Sequence, residues 1–104
     1  MTDMNTIRAL TGASAVMSAA HNSREGVLHG HTWEVTAWWL EGRDALDLQA
    51  ELQRYLRAFD HTMLGDGTAW GEALAKSILV GLQCQRVEVR RPLERLYAMA
   101  EWRA

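Results

Sequence analysis

The chain has 104 residues, enough for one domain over 1–104 and too few for two. An apolar fraction of 48% and a charged fraction of 23% fit a globular protein with a proper core, and a net charge of −2 offers no basic surface to nucleic acid or to an anionic membrane. The single cysteine, Cys84, excludes an internal disulfide framework. No stretch approaches the roughly 20 consecutive apolar residues of a membrane helix. The opening "MTDMNTIRALTG" carries acidic and polar residues where a signal peptide has an apolar run, so the expectation is a cytoplasmic protein.

Residues 5–21 carry apolar groups without a helical period and close on the small-residue run "SAAH", which predicts a strand from about Ile7 to Ala19. "NSREG" at 22–26 is a loop by composition. From His29 to Leu40 the residues are β-branched and aromatic, which predicts a second strand. His29, His31, Trp33, Val35, Ala37 and Trp39 then share one face, because side chains alternate along a strand. "EGRD" turns the chain.

The period then changes. Leu48, Leu52, Tyr55, Leu56 and Phe59 fall on one helical stripe, with Asp47 as the expected N-cap. "DHTMLGDG" at 60–67 breaks that pattern. A second helix is expected from about Ala69 to Leu82, capped by Thr68, with Trp70, Leu74, Ile78 and Leu82 on one face. "QRVEVRRPLERLYAMAEW" reads as a β-hairpin, its turn at Arg91-Pro92-Leu93-Glu94 with the only proline where its fixed φ suits the turn. The order β-β-α-α-β-β predicts an α+β domain, a four-stranded antiparallel sheet with both helices packed on one face. Such a sheet keeps two open edges and a largely uncovered second face. Together with five tryptophans (Trp33, Trp38, Trp39, Trp70, Trp102), this predicts self-association.

Three of the four histidines lie within residues 21–31. His29 and His31 flank Gly30 at the start of the second strand, so both fall on one face, and His21 closes the strand before it. Zinc takes neutral imidazole nitrogens, and catalytic sites use three protein ligands with one position open. On spacing alone, "HGH" is equally a polar strand start and His21 a loop residue. The fourth histidine, His61, follows Asp60. The pair is either a proton-transfer unit, the carboxylate orienting the imidazole, or a capping pair at a helix end.

In order along the chain, "MSAAH" (17–21), "LHGHTWEV" (28–35), "LDLQAEL" (46–52), "FDHTML" (59–64), "GEALAKSI" (71–78) and "VEVRR" (87–91) resemble the 6-pyruvoyltetrahydropterin synthase / 6-carboxytetrahydropterin synthase family. The resemblance implies the tunnel fold, in which sheets close into barrels as trimers that stack into hexamers, with active sites between subunits. It further implies Zn2+ on His21, His29 and His31, an Asp60–His61 proton-transfer pair, and lyase chemistry on the side chain of 7,8-dihydroneopterin triphosphate. Three positions depart from the family pattern. Many members carry a catalytic cysteine four residues ahead of "HGH"; here Glu25 stands there, as in a third type within the family that releases 6-hydroxymethyl-7,8-dihydropterin. Glu25 is thus either a general base or a solvated loop residue. The glutamate that grips the pterin ring is replaced by Arg91, which only donates hydrogen bonds. The family's "P-T-x-E" appears as "A-W-G-E", with Trp70 in place of a threonine and Glu72 retained. Trp70, Glu72 and Arg91 are therefore the candidate substrate-binding positions. The competing expectations are an enzyme with a non-pterin substrate and a non-catalytic zinc-binding paralogue serving binding or assembly.

Overall fold

The computed structural model describes residues 7–22, 28–58, 62–63 and 71–103; at 19–22, 28–31 and 62–63 it is the backbone that is described. Two long strands, β1 (Leu10–Asn22) and β2 (Leu28–Leu40), pair antiparallel without a bulge, from Leu10 facing Leu40 to Asn22 facing Leu28. β1 starts and ends later than its own sequence suggested. Its limits are set by the partner strand, and "SAAH" runs inside the ladder opposite residues 29–32.

Alternation gives this ladder two unlike faces. One carries Ala13, Ala15 and Met17 opposite Ala37, Val35 and Trp33, and it is where the core sits. The other carries Ser14, whose hydroxyl hydrogen-bonds that of Thr36 at 2.6 Å, and Val16, which is exposed. Gly12 also lies on this second face, where a β-carbon would come within 2.6 Å of the Trp38 ring; glycine lets the indole lie across β1.

The first helix, α1 (Ala45–Leu56), begins a turn before its apolar stripe. Its N-cap is Asp44, whose carboxylate accepts from the N–H groups of Leu46 and Asp47 at 2.9 and 3.3 Å. The expected cap, Asp47, instead sits in the first turn, where a negative charge favours the positive end of the helix dipole. Periodicity missed that turn because it touches no core: Leu46 is exposed, and burial starts at Leu48 and continues at Leu52 and Leu56. Phe59 lies outside the described residues.

A two-residue strand, β3 (Thr62–Met63), pairs in parallel with Ala19 and Ala20 of β1. It adds a short edge to the four expected strands, and two residues are too few for an alternating pattern to reveal. The second helix, α2 (Gly71–Leu82), buries Leu74, Ala75, Ile78, Leu79 and Leu82; its expected cap Thr68 and the neighbouring Ala69 lie outside the described residues. At Gly71 a β-carbon would come within 2.5 Å of the Ala98 side chain, so the missing side chain lets the helix start directly against the sheet. The hairpin follows as expected, with β4 (Arg86–Arg91) and β5 (Leu96–Glu101) joined by a turn in which the Glu94 N–H donates to the Arg91 carbonyl at 3.2 Å.

The sheet order is β3-β1-β2-β4-β5. Both helices pack on the same face, closing Trp33, Val35, Ala37, Val87 and Val89 under Leu48, Leu52, Leu74 and Ile78. Trp102, just after β5, donates its indole N–H to the Cys84 carbonyl at 2.8 Å and ties the outer strand to the root of β4. No described helix is long and apolar enough to cross a membrane.

Two features of this frame predict stability changes measurable by urea unfolding. Asp44→Ala removes the cap of α1 and is expected to cost about 1 kcal/mol. Gln83, just past α2, and Arg95, closing the hairpin turn, hold φ of 55° and 58°, where a side chain is strained. Gln83→Gly and Arg95→Gly are each expected to stabilise by about 1 kcal/mol.

Candidate functional site

The pairing of β1 with β2 brings the histidine positions together. His21 faces His29 directly, and His31 faces Ala19. Facing residues of an antiparallel pair lie on the same side, as do residues two apart on one strand. Positions 21, 29 and 31 therefore continue the core face beyond Met17 and Trp33, at one end of the ladder. Directly opposed Cα atoms are about 4.5–5.5 Å apart, and residues two apart on a strand about 6.8 Å. Those are separations from which three imidazoles suit one ion at about 2.0–2.1 Å. The side chains of His21, His29 and His31 lie outside the described residues, as do Glu25, Asp60, His61 and Trp70 entirely. Among the described residues, no group of three His, Cys, Asp or Glu is arranged to hold a metal ion.

Two other segments reach the same end of the sheet. Thr62 follows His61 directly in the chain, and its strand pairs with Ala19 and Ala20, beside His21. The hairpin turn arrives from the other side: Arg90 faces Glu34, so Arg91 lies at the level of Trp33, one alternation from His31. Trp33 and Glu94 are among the residues that hold Arg91 there. Its guanidinium carbon is 5.6 Å from the centroid of the Trp33 ring, and its Nη2 donates to Glu94 Oε1 at 3.1 Å. Its side chain is only 14% exposed, against 43% for Glu94.

Glu72 is placed differently. It is exposed in the first turn of α2 and lines a groove of about 640 Å³ with Lys76, Leu79, Met99, Glu101 and Trp102, along the outer strand rather than at the histidine end. Cys84 is buried at 1% exposure, its Sγ 3.7 Å from the Arg86 carbonyl, and burial pushes its thiol pKa up. It is a packed core residue. On the uncovered face, Arg90 bridges Glu88 at 3.1 Å and Glu34 at 3.4 Å and lies over Tyr97.

Two residues of the Arg91 environment went unassigned in the sequence. Trp33 was legible as a core-face residue but not as a platform for a cation, since that depends on which rung of β4 it meets. Glu94 was read as the last residue of the turn, and its spacing of three from Arg91 across the proline was the available signal.

Among solved structures, the 6-pyruvoyl tetrahydropterin synthase of Caenorhabditis elegans is similar to this chain, with a TM-score of 0.68 over 93% of this chain and 99% of that one, at 16% sequence identity. At that identity the likeness shows the fold, and it agrees with the tunnel-fold architecture expected from the sequence: two helices on an antiparallel sheet in the order β-β-α-α-β-β. No protein-family model matches the chain, and no curated protein matches it significantly.

The burial of Cys84 predicts its reactivity. A thiol with a raised pKa and no solvent access forms little thiolate and meets no reagent. In native buffer at pH 8, reaction with a disulfide reagent is expected to be at least 100-fold slower than in denaturant, read by absorbance; labelling at the rate of a free thiol would show that the core around Cys84 opens readily.

Proposed function

We propose that this chain is a zinc-dependent lyase of the pterin-synthase type, cleaving or rearranging the side chain of 7,8-dihydroneopterin triphosphate or a related small molecule. The observation that carries the reading is the ladder register in which His21 faces His29 with His31 on the same side. The shared fold supports it, as does the pairing of β3 beside His21 immediately after the Asp60–His61 pair.

In this reading His21, His29 and His31 are the protein ligands, three neutral imidazoles with one position left for substrate. Zinc held there would supply Lewis-acid polarisation of the substrate's side-chain hydroxyls. Asp60 orients the His61 imidazole and keeps it basic, so that His61 takes up or returns a proton near neutral pH. Glu25 is the general base where other members use a thiol, withdrawing a proton from a side-chain hydroxyl as the adjacent carbon–carbon bond breaks. Trp70, Glu72 and Arg91 belong to substrate binding, Glu72 from its groove along α2 and β5. The protein works in the cytoplasm and as a homo-oligomer, a trimer or hexamer. The uncovered sheet face and outer strand expose Val16, Tyr97, Met99 and Trp102, the kind of apolar surface that a subunit interface covers.

The test is metal analysis and turnover on the same preparation. Zinc is expected at one per chain by mass spectrometry, falling by at least tenfold in His29→Ala. Conversion of 7,8-dihydroneopterin triphosphate to 6-hydroxymethyl-7,8-dihydropterin is expected, and Glu25→Ala should lower it by about 100-fold or more, the usual scale for losing a general base. Absence of bound zinc would refute the metal assignment. Stoichiometric zinc without conversion would refute this substrate and favour assembly or other chemistry. Light scattering on the same sample is expected to give three or six chains.

A further inference from the structure

We infer that Ala19 keeps the histidine site open to an incoming ligand, by placing a methyl group where a fourth metal ligand would otherwise stand. The inference rests on the proposed metal site and says from which side a small donor molecule reaches it.

The strand register carries it. On the core face, β1 and β2 meet in successive rungs: His21 with His29, Ala19 with His31, then Met17 with Trp33. The first two rungs define four corners, about 5 Å across the strands and about 6.8 Å along them. Histidine holds three corners and alanine the fourth. An ion bound from three of four such corners has its remaining tetrahedral direction leaning towards the fourth.

The positions around this quartet offer no other protein group for that direction. Met17 and Trp33, on the next rung, are 1% and 0% exposed, and neither is a residue type that zinc takes. On the other side of β1, Ala19 pairs with Thr62 of β3, so one rung runs Thr62, Ala19, His31. The pairing of β4 with β2 spans Glu34 to Trp38 and stops short of position 31. Among the described sheet positions bordering the three histidines, none carries Cys, Asp, Glu or a further His. Structural zinc sites are closed by a fourth ligand, and a methyl group supplies neither a donor atom nor bulk. The ligand that fits is a small molecule bringing one oxygen or nitrogen donor over β1, on the side where β3 pairs. Ala20 is the internal control. It falls on the opposite face, on the rung of Gly30 and Met63.

The test uses the full chain loaded with cobalt(II), a coloured substitute for tetrahedral zinc, with sodium azide as the probe ligand. Metal content is measured on every sample. In the unaltered protein, azide is expected to change the visible spectrum saturably, with a millimolar midpoint. Ala19→His is expected to bind zinc about tenfold or more tightly, through a fourth imidazole, and to lose the azide response. Ala19→Gln fills the corner with a poor zinc ligand. It is expected to weaken azide about fivefold or more while zinc affinity stays within about threefold. Ala20→His is expected to match the unaltered protein in both measurements. Bound cobalt that ignores azide in the unaltered protein overturns the inference and leaves the metal site standing. So does an Ala19→His or Ala19→Gln protein that binds metal and answers azide as before. Loss of the azide response in Ala20→His also overturns it, since position 20 lies on the other face. Absence of bound metal in the unaltered protein rejects the metal site itself, and the inference with it.

Discussion

The pairing of β1 with β2 is the constraint from which the rest of the molecule follows. Thirteen residues of each strand run side by side without a bulge. In such a ladder a slip of one residue would send every core side chain to the opposite face. The register is held by the contrast between the faces. Trp33, Val35, Ala37 and Trp39 are buried together, while the alternate positions carry the more polar set Thr32, Glu34, Thr36, Trp38 and Leu40. The same register, continued past Trp33 and Met17, brings His29 opposite His21. Core packing and candidate chemistry thus depend on one set of backbone hydrogen bonds, and the packing supplies the rigidity that a three-ligand site needs.

The remaining elements close the core face and bring residues to its end. Leu48, Leu52 and Leu56 of α1 and Leu74, Ile78 and Leu82 of α2 cover the sheet. Small residues adjust the fit: Ala15 lies opposite the larger Val35 of β2, and Gly71 admits the start of α2 against Ala98. The opposite face stays polar and partly exposed, with Ser14 bonded to Thr36 and Arg90 bridging Glu34 and Glu88. That face mixes this polar network with exposed Val16, Tyr97 and Met99.

For function, the molecule separates two properties that are easily treated as one. The metal and proton-transfer positions follow the pattern of pterin synthases in sequence, and the backbone is compatible with a common site for the three histidines. Position 91 does not follow that pattern, because a donor, Arg91, stands where the resemblance implies an acceptor. Arg91 lies over Trp33, pairs with Glu94, and is the one described charge on the core face of the sheet.

How much of this was legible before the fold was known differs by element, for physical reasons. The α+β class, the strand and helix order and the hairpin turn at Pro92 were readable, because hydrophobic period and turn chemistry are local properties. The N-cap of α1 was misplaced, since its first turn touches no core, and β3 was missed, since two residues carry no pattern. His21, His29 and His31 were candidates from spacing and resemblance, but spacing along the chain says nothing of what faces what. Only the tertiary pairing of β1 with β2 decided that His21 and His29 share a rung, and only the pairing of β4 with β2 set Arg91 beside Trp33. The sequence by itself determined which residues prefer strand or helix and which side of each is apolar. The fold decided which strands meet and at which residue, because that depends on burying both apolar faces at once.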